Sequence, residues 1–334
     1  MLEENQVTLA IPTRDHAAYL DLLFDNLLKQ TEQISIIVID SSSDDSARRC
    51  CERFKDLRIR FYSVPVSYTA EEKCRFAIQK LETEYIWLCG DGLIPAIDVV
   101  LPLLRDKNTD MIHLVNMDAR DCRLYLSKKS LPTSMTYTDA VTFCGDFFWT
   151  ATFLGSLILQ RSVAKMLLGD VFEAYRNTGF EIPCSALDVL SRRPCQIAVM
   201  AMHYYTPNPL KVASLWMNGP QIFEIWAERM PQAVRKLPTA FDPMKDTVIR
   251  TTAVNNNYLS CRGLIRWRSR GFFTATVEKQ YEASLMQTSN VPVFYMRIIA
   301  RAPVLLCKLL YTPFELRKKF RAQSLLNNRE RKSV

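Results

Sequence analysis

Two apolar runs with a stretch of helical period between them constrain this chain more than any other feature. Val7-Thr8-Leu9-Ala10-Ile11 is closed by Pro12, and the β-branched run Ile34 to Ile39 is closed by Asp40-Ser41-Ser42-Ser43. Between them Leu20, Leu23, Phe24, Leu27 and Leu28 recur at helical spacing, with Asp21, Asp25 and Lys29 left for the wet face. The pattern is a β-α-β unit, which implies parallel strands. The alternation continues with a strand over Arg58 to Tyr62, a helix over Ala70 to Leu81 and a buried strand over Tyr85 to Cys89. Asp110 to Met117 and Gly155 to Leu159 are further strands.

The fold class is therefore α/β, with a mostly parallel central sheet flanked by helices. From Pro207 onward the pattern turns helical, through Leu215 to Met230, Val248 to Trp267, Thr276 to Met286 and Val293 to Lys308. Pro207, Pro209 and Gly219-Pro220 mark the boundary. Three segments follow: an α/β domain over 1–205, a helical extension over 206–290 and a basic amphipathic end over 291–334.

That last segment holds ten lysines and arginines against two glutamates, so it carries the whole net charge of +8 and leaves the rest of the chain neutral. Its apolar groups, Phe294 to Met296, Ile298-Ile299, Val304 to Leu306 and Leu309 to Tyr311, run into Arg317-Lys318-Lys319-Phe320-Arg321. Apolar residues for the acyl boundary and cations for anionic headgroups are what an interfacial helix needs. Arg297, Arg301 and Lys308 interrupt the run and exclude a membrane span. Neither a nucleic-acid module nor stacking aromatics interleaved with cations is present, so nucleic acid is not expected as a partner. The ten cysteines form no C-x-x-C pair, and Met1 to Asn5 lacks the basic and apolar regions of a signal peptide. The expected location is cytoplasmic, peripheral at the inner face of the cell membrane.

Three polar features stand where strands of such a sheet end: Pro12-Thr13-Arg14-Asp15, Asp40 with its serines and Asp44-Asp45, and Gly90-Asp91-Gly92. Ligands of open α/β sheets bind at those carboxyl ends, near a switch in strand order. Ser43 also suits an N-cap, with Asp44 and Asp45 in the first turn of a helix. No glycine-rich loop follows the first strand, which argues against a dinucleotide fingerprint or a P-loop.

Val7 to Asp15, the leucine-rich helix, Gln30-Thr31 and Ile36 to Asp45 together resemble the opening of family 2 glycosyltransferases with the GT-A fold, which read I-I-P-T-Y-N, then Q-T, then V-V-D-D-G-S-T-D. Tyr85 to Leu93 is similar to the Y-I-W-L-L-G-D-D-D-I-L form of their D-x-D region, frequent in bacterial enzymes that build O-antigen and capsule sugars. The resemblance covers the first 100 residues well and 145–205 loosely. It implies that Pro12, Thr13 and Asp40 contact the base and ribose of a nucleotide diphosphate sugar, that Arg75 meets a phosphate, and that Asp91 faces the diphosphate and a divalent Mg²⁺ or Mn²⁺. His203 lies where the family often places a histidine near the diphosphate, a second candidate metal ligand. Ser41, Gly92 and Leu93 replace family carboxylates, so Asp91 is the one acid left of the metal motif.

An inverting transfer needs a general base that removes the acceptor hydroxyl proton. The stretch Leu187-Asp188-Val189-Leu190 followed by Arg192-Arg193 resembles the family's E-D-x-x-L-x-x-R without its Glu, which nominates Asp188, with Glu181 of Gly179-Phe180-Glu181 as the alternative. The acceptor implied is a glycan or lipid-linked glycan precursor of the cell surface. A non-catalytic GT-A-like module that binds a glycan or partner enzyme at the membrane stays open, because the acidic motifs are thinned.

Overall fold

The computed structural model describes residues 6–30, 34–105, 109–116, 134–210 and 219–313. The cluster Arg317 to Arg321 lies outside the described residues. The strands are β1 (Val7–Thr13), β2 (Ile34–Asp40), β3 (Ile59–Ser63), β4 (Tyr85–Leu88), β5 (Leu93–Pro95), β6 (Met111–Asn116), β7 (Ser134–Tyr137), β8 (Leu157–Gln160), β9 (Ile197–Met202) and β10 (Tyr205–Pro207). Around them lie α1 (Ala17–Leu27), α2 (Ser46–Phe54), α3 (Ala70–Gln79), α4 (Ile97–Val100), α5 (Ala140–Ala151), α6 (Arg161–Met166), α7 (Asp170–Ala174) and α8 (Glu181–Ser191).

The main sheet has the order β3-β2-β1-β4-β8-β6-β9-β7, and β5 pairs with β10 in a separate antiparallel ribbon. β1, β2, β3 and β4 pair in parallel, whereas β8 runs antiparallel to both β4 and β6. Every residue of β1 and β4 is buried, as expected for strands covered on both faces. The chain winds outward from β1 to β3 and then returns to β4 on the other side of β1. By the general rule for open α/β sheets, that reversal puts a ligand crevice outside the carboxyl ends of β1 and β4.

Pro12 does not close the first strand: β1 continues through it to Thr13, paired with β2 as far as Asp40. Pairing with β4 stops at Ala10, so at Pro12 the strand has a neighbour on one side only and the missing N–H is tolerated as at an edge. Ser43 is not an N-cap, because α2 begins at Ser46 and the Asp44 carboxylate accepts the Ser46 N–H at 2.9 Å. α3 is fixed more firmly by a capping box in which Thr69 Oγ1 accepts from Glu72 N at 3.1 Å and Glu72 Oε2 accepts from Thr69 N at 2.8 Å.

The chain divides into two compact units, one of residues 1–214 with 232–248 and the other of residues 215–231 with 249–334. The described residues of the second form helices and turns. Ser260 and Thr274 cap helices Cys261–Ser269 and Ala275–Thr288, and Trp267 is fully buried with its Nε1–H donated to Tyr258 O at 2.8 Å. Glu278 is buried and ion-paired with Arg297 and Arg301 of helix Val293–Arg301. That helix and the helical residues 304–313 leave Phe294, Tyr295, Ile298, Leu305, Leu306, Leu309 and Leu310 about half or more exposed.

Gly155 precedes β8 at φ +113° and accepts the Trp87 indole N–H at 2.9 Å, while a Cβ there would come within 2.7 Å of Leu93 Cδ1. Gly169 also has positive φ, with nothing within 4 Å of its Cβ position. Gly155→Ala is expected to destabilise the fold by about 3 kcal/mol and Gly169→Ala by about 1–2 kcal/mol, since only the first adds overpacking to backbone strain. Urea denaturation of the two variants checks this, and equal losses would contradict it.

Candidate functional site

At the crevice, the end of β1 meets the turn after β4. Thr13 Oγ1 donates to Asp91 Oδ2 at 2.7 Å, and His16 Nδ1 lies 2.8 Å from the same oxygen. His16 precedes α1 and stacks on Tyr19 with ring centroids 4.3 Å apart. Its contact with Asp91 lifts it above the usual imidazole range. The side-chain amide of Asn208 reaches the Asp91 carbonyl at 3.4 Å, and Asn208 N donates to Gly92 O at 3.0 Å, which ties the segment after β10 to the same turn.

The second wall is the end of β2. Asp40 is 2% exposed, and its Oδ1 accepts from Ser42 N at 3.1 Å and from Ser42 Oγ at 2.5 Å. Ser42 Oγ also accepts the Asp15 N–H at 2.7 Å, in the loop where Asp15 takes φ +56°. Beneath both walls lies Lys73 of α3, 5% exposed, whose Nζ donates to Thr13 O at 2.7 Å and Ser41 Oγ at 3.0 Å. Burial pulls this ammonium below its usual range, and the charge of Asp91 is the largest influence in the other direction.

Of the residues nominated from sequence, Pro12, Thr13, Asp40 and Asp91 thus converge. Arg75 does not join them. Two positions past Lys73 it faces away on the helix, pairing with Glu173 at 2.6 Å and lying over the Phe172 ring. His203 is exposed between β9 and β10. Asp188 sits in the last half of α8, 5% exposed, with Oδ2 accepting from Tyr175 Oη at 2.9 Å and Oδ1 paired with Arg192 at 2.8 Å. Both its oxygens are committed. Glu181 opens α8, 4% exposed, and its Oε2 has no hydrogen-bond partner.

Lys73, His16 and Glu71 were not nominated. Glu71, at the start of α3, accepts the Ile182 N–H at 3.3 Å at the start of α8. Desolvation, reinforced by the Glu181 carboxylate, pushes Glu71 up to about 8, and burial raises Glu181 as well.

The donors around Asp91 do not fit a resident divalent ion. Its Oδ2 is engaged by a hydroxyl and an imidazole, Gly92 and Leu93 add no oxygen side chain, and among the described residues no three His, Cys, Asp or Glu side chains converge.

A carboxyl whose folded-state pKa is raised binds its proton more tightly in the folded state, so its stabilising effect is complete below the unfolded value, near 4.5, and is lost as pH rises towards 8. Glu71→Gln, which stays neutral, is expected to be more stable than the wild type at pH 8 by on the order of 2 kcal/mol and to lose that advantage at pH 5. Urea midpoints at the two pH values test it, and a pH-independent gap would contradict it.

Residues 8–145 match the model of the family described as Glycosyl transferase family 2. Among solved structures, S. aureus TarS aligns over 88% of this chain and 55% of its own, at 11% identity and a TM-score of 0.52, so the chain spans about half the length of that structure. A structure of TarS 1-349 aligns over 93% of this chain and 91% of its own, at 12% identity and 0.52. The mannosyltransferase PcManGT from Pyrobaculum calidifontis, solved in complex with GDP-Man and Mn²⁺, is 16% identical over 90% of this chain and 89% of its own, with a TM-score of 0.48. No curated protein sequence matches this one. The TarS likeness shows the fold, and the matched model gives residues 8–145 a domain similar to those of family 2 glycosyltransferases.

Proposed function

We propose that this protein transfers a sugar, with inversion, from a nucleoside diphosphate sugar to a hydroxyl of a lipid-linked glycan precursor of the cell surface. The observation that carries the reading is the convergence of Thr13, Asp40 and Asp91 at the switch point of the family 2 domain. The nucleoside lies against Pro12, Thr13 and Asp40, and the diphosphate extends towards the turn at Asp91.

The general base in this reading is Glu181. Asp188 is tied on one oxygen to Tyr175 and on the other to Arg192, the arrangement of a structural ion pair. Glu181 keeps Oε2 unpartnered, and burial raises its pKa towards the working range of a base. As the acceptor oxygen forms its bond to the anomeric carbon, Glu181 takes the hydroxyl proton, and the carbon–oxygen bond to the diphosphate breaks with its electron pair on the leaving group.

Attachment to an anionic membrane surface follows from the exposed apolar row of the second unit, where Phe294 is 68% exposed, Leu305 70% and Leu309 65%. Lys308 is exposed in the same helical segments, and a basic residue near an anionic surface contributes about 1 kcal/mol, whereas Arg297 and Arg301 are paired with Glu282 and Glu278. Among the described residues no helix is long and apolar enough to cross a membrane.

Two measurements test this. Release of nucleoside diphosphate from a panel of sugar donors and membrane-extracted acceptors should fall about 100-fold or more in Glu181→Gln, which removes the base, and should also fall in Asp91→Ala, which frees Thr13 and His16 from the turn. Asp188→Asn should cost mainly stability. Unchanged release in both site variants would refute the assignment, and a wild type that neither binds nor consumes any donor would make the protein a non-catalytic module. Separately, Ile298→Asp, Leu305→Asp and Leu309→Asp combined should abolish binding to anionic vesicles at low salt. Equal vesicle binding by the triple variant and the wild type would refute the membrane contact.

A further inference from the structure

We infer that Lys73 is the cation that holds the donor's phosphates, supplying from the protein the positive charge that the thinned acidic motif does not recruit as metal. This rests on the donor-pocket reading above and goes beyond it to the group that recognises the diphosphate.

Lys73 sits in an electrostatic imbalance. Lys73 Nζ is buried, yet the hydrogen-bond partners it has are neutral oxygens, Thr13 O and Ser41 Oγ. Asp91 and Asp40 act on it through space, not by contact. Taking an ammonium out of water without a contacting counter-ion costs several kcal/mol. Such a charge is retained where a ligand repays it.

A structural pin does not explain it. Ser41 N already donates to Thr13 O at 3.3 Å, so the ends of β1 and β2 are tied without the lysine, and a methionine would fill the same space with no desolvation cost. Two of the three ammonium N–H groups are used on Thr13 and Ser41, which leaves one for a ligand oxygen. The crevice also needs a cation. Two carboxylates, Asp40 and Asp91, border it, and a diphosphate entering between them is repelled unless positive charge lies close. The donors at Asp91 do not make a metal site, Arg75 is turned to Glu173, and Lys73 lies under the crevice between the two acids.

The test is calorimetric binding of uridine, guanosine, cytidine and thymidine and of their diphosphates, in EDTA, to the full chain and to Lys73→Met and Lys73→Arg. In the wild type the diphosphate of the preferred base should bind about 100-fold tighter than its nucleoside. Lys73→Met should shrink that ratio about tenfold or more while leaving the nucleoside within about twofold, and Lys73→Arg should keep most of it. An undiminished ratio in Lys73→Met overturns the inference, as does a wild type whose diphosphate binds only when Mn²⁺ is restored. Both results leave the donor pocket intact. A wild type that binds neither nucleosides nor diphosphates removes the pocket, and this inference with it. Should Lys73→Met fail to fold, spectra of ¹⁵N-lysine wild type decide, with the Nζ signal missing from Lys73→Arg expected to move with the diphosphate and not with the nucleoside. A signal indifferent to the diphosphate overturns the inference.

Discussion

The site depends on one carboxylate oxygen. Asp91 Oδ2 receives the Thr13 hydroxyl and meets His16, and through those two contacts it joins the turn after β4 to the end of β1 and the entry to α1. β1 and β4 are neighbours only because the chain, having built β2 and β3 outward, comes back on the other side of β1. The sheet's change of direction therefore brings β1 and β4 side by side, and Asp91 ties their ends together. Without that reversal, Thr13 and Asp91 would be ordinary strand ends far apart in the sheet.

The first unit handles its enclosed ionisable groups in three different ways. Asp188 is neutralised by Arg192 and held by Tyr175, the arrangement of a structural ion pair at a helix end. Glu71 and Glu181, at the starts of α3 and α8, are neighbouring carboxyls whose affinity for a proton is raised by desolvation. Lys73 stays an ammonium among neutral oxygens. Asp188 is satisfied within the fold, whereas the acid pair and Lys73 carry unspent electrostatic energy, which is why chemistry is assigned to them.

The sheet was legible where the physics is local. β1, β2, β3 and β4 each announce themselves as β-branched or apolar runs, and the spacing of Leu20, Leu23, Phe24 and Leu27 marks the buried face of α1. The antiparallel insertion of β8 between β4 and β6 was not legible, because a buried strand reads the same in either direction. Lys73 left a signal that the nomination of Arg75 obscured. It occupies the buried stripe of α3 with Cys74, Ala77 and Ile78, and a lysine on the apolar face of a helix is there for a partner inside the protein. The proximity of Glu71 and Glu181 could not be read in advance, since they are far apart in sequence and only the packing of α3 against α8 brings them together.

Amide hydrogen exchange with and without saturating nucleoside diphosphate tests the placement of the donor pocket most directly. Protection should appear together at Thr13 to His16, Asp40 to Ser42, the first turns of α3 and Gly90 to Gly92, the four segments that the Asp91 and Lys73 contacts draw into one crevice. Protection confined to the second unit, or spread over the first with these segments unchanged, would contradict a donor site at the β1–β4 switch.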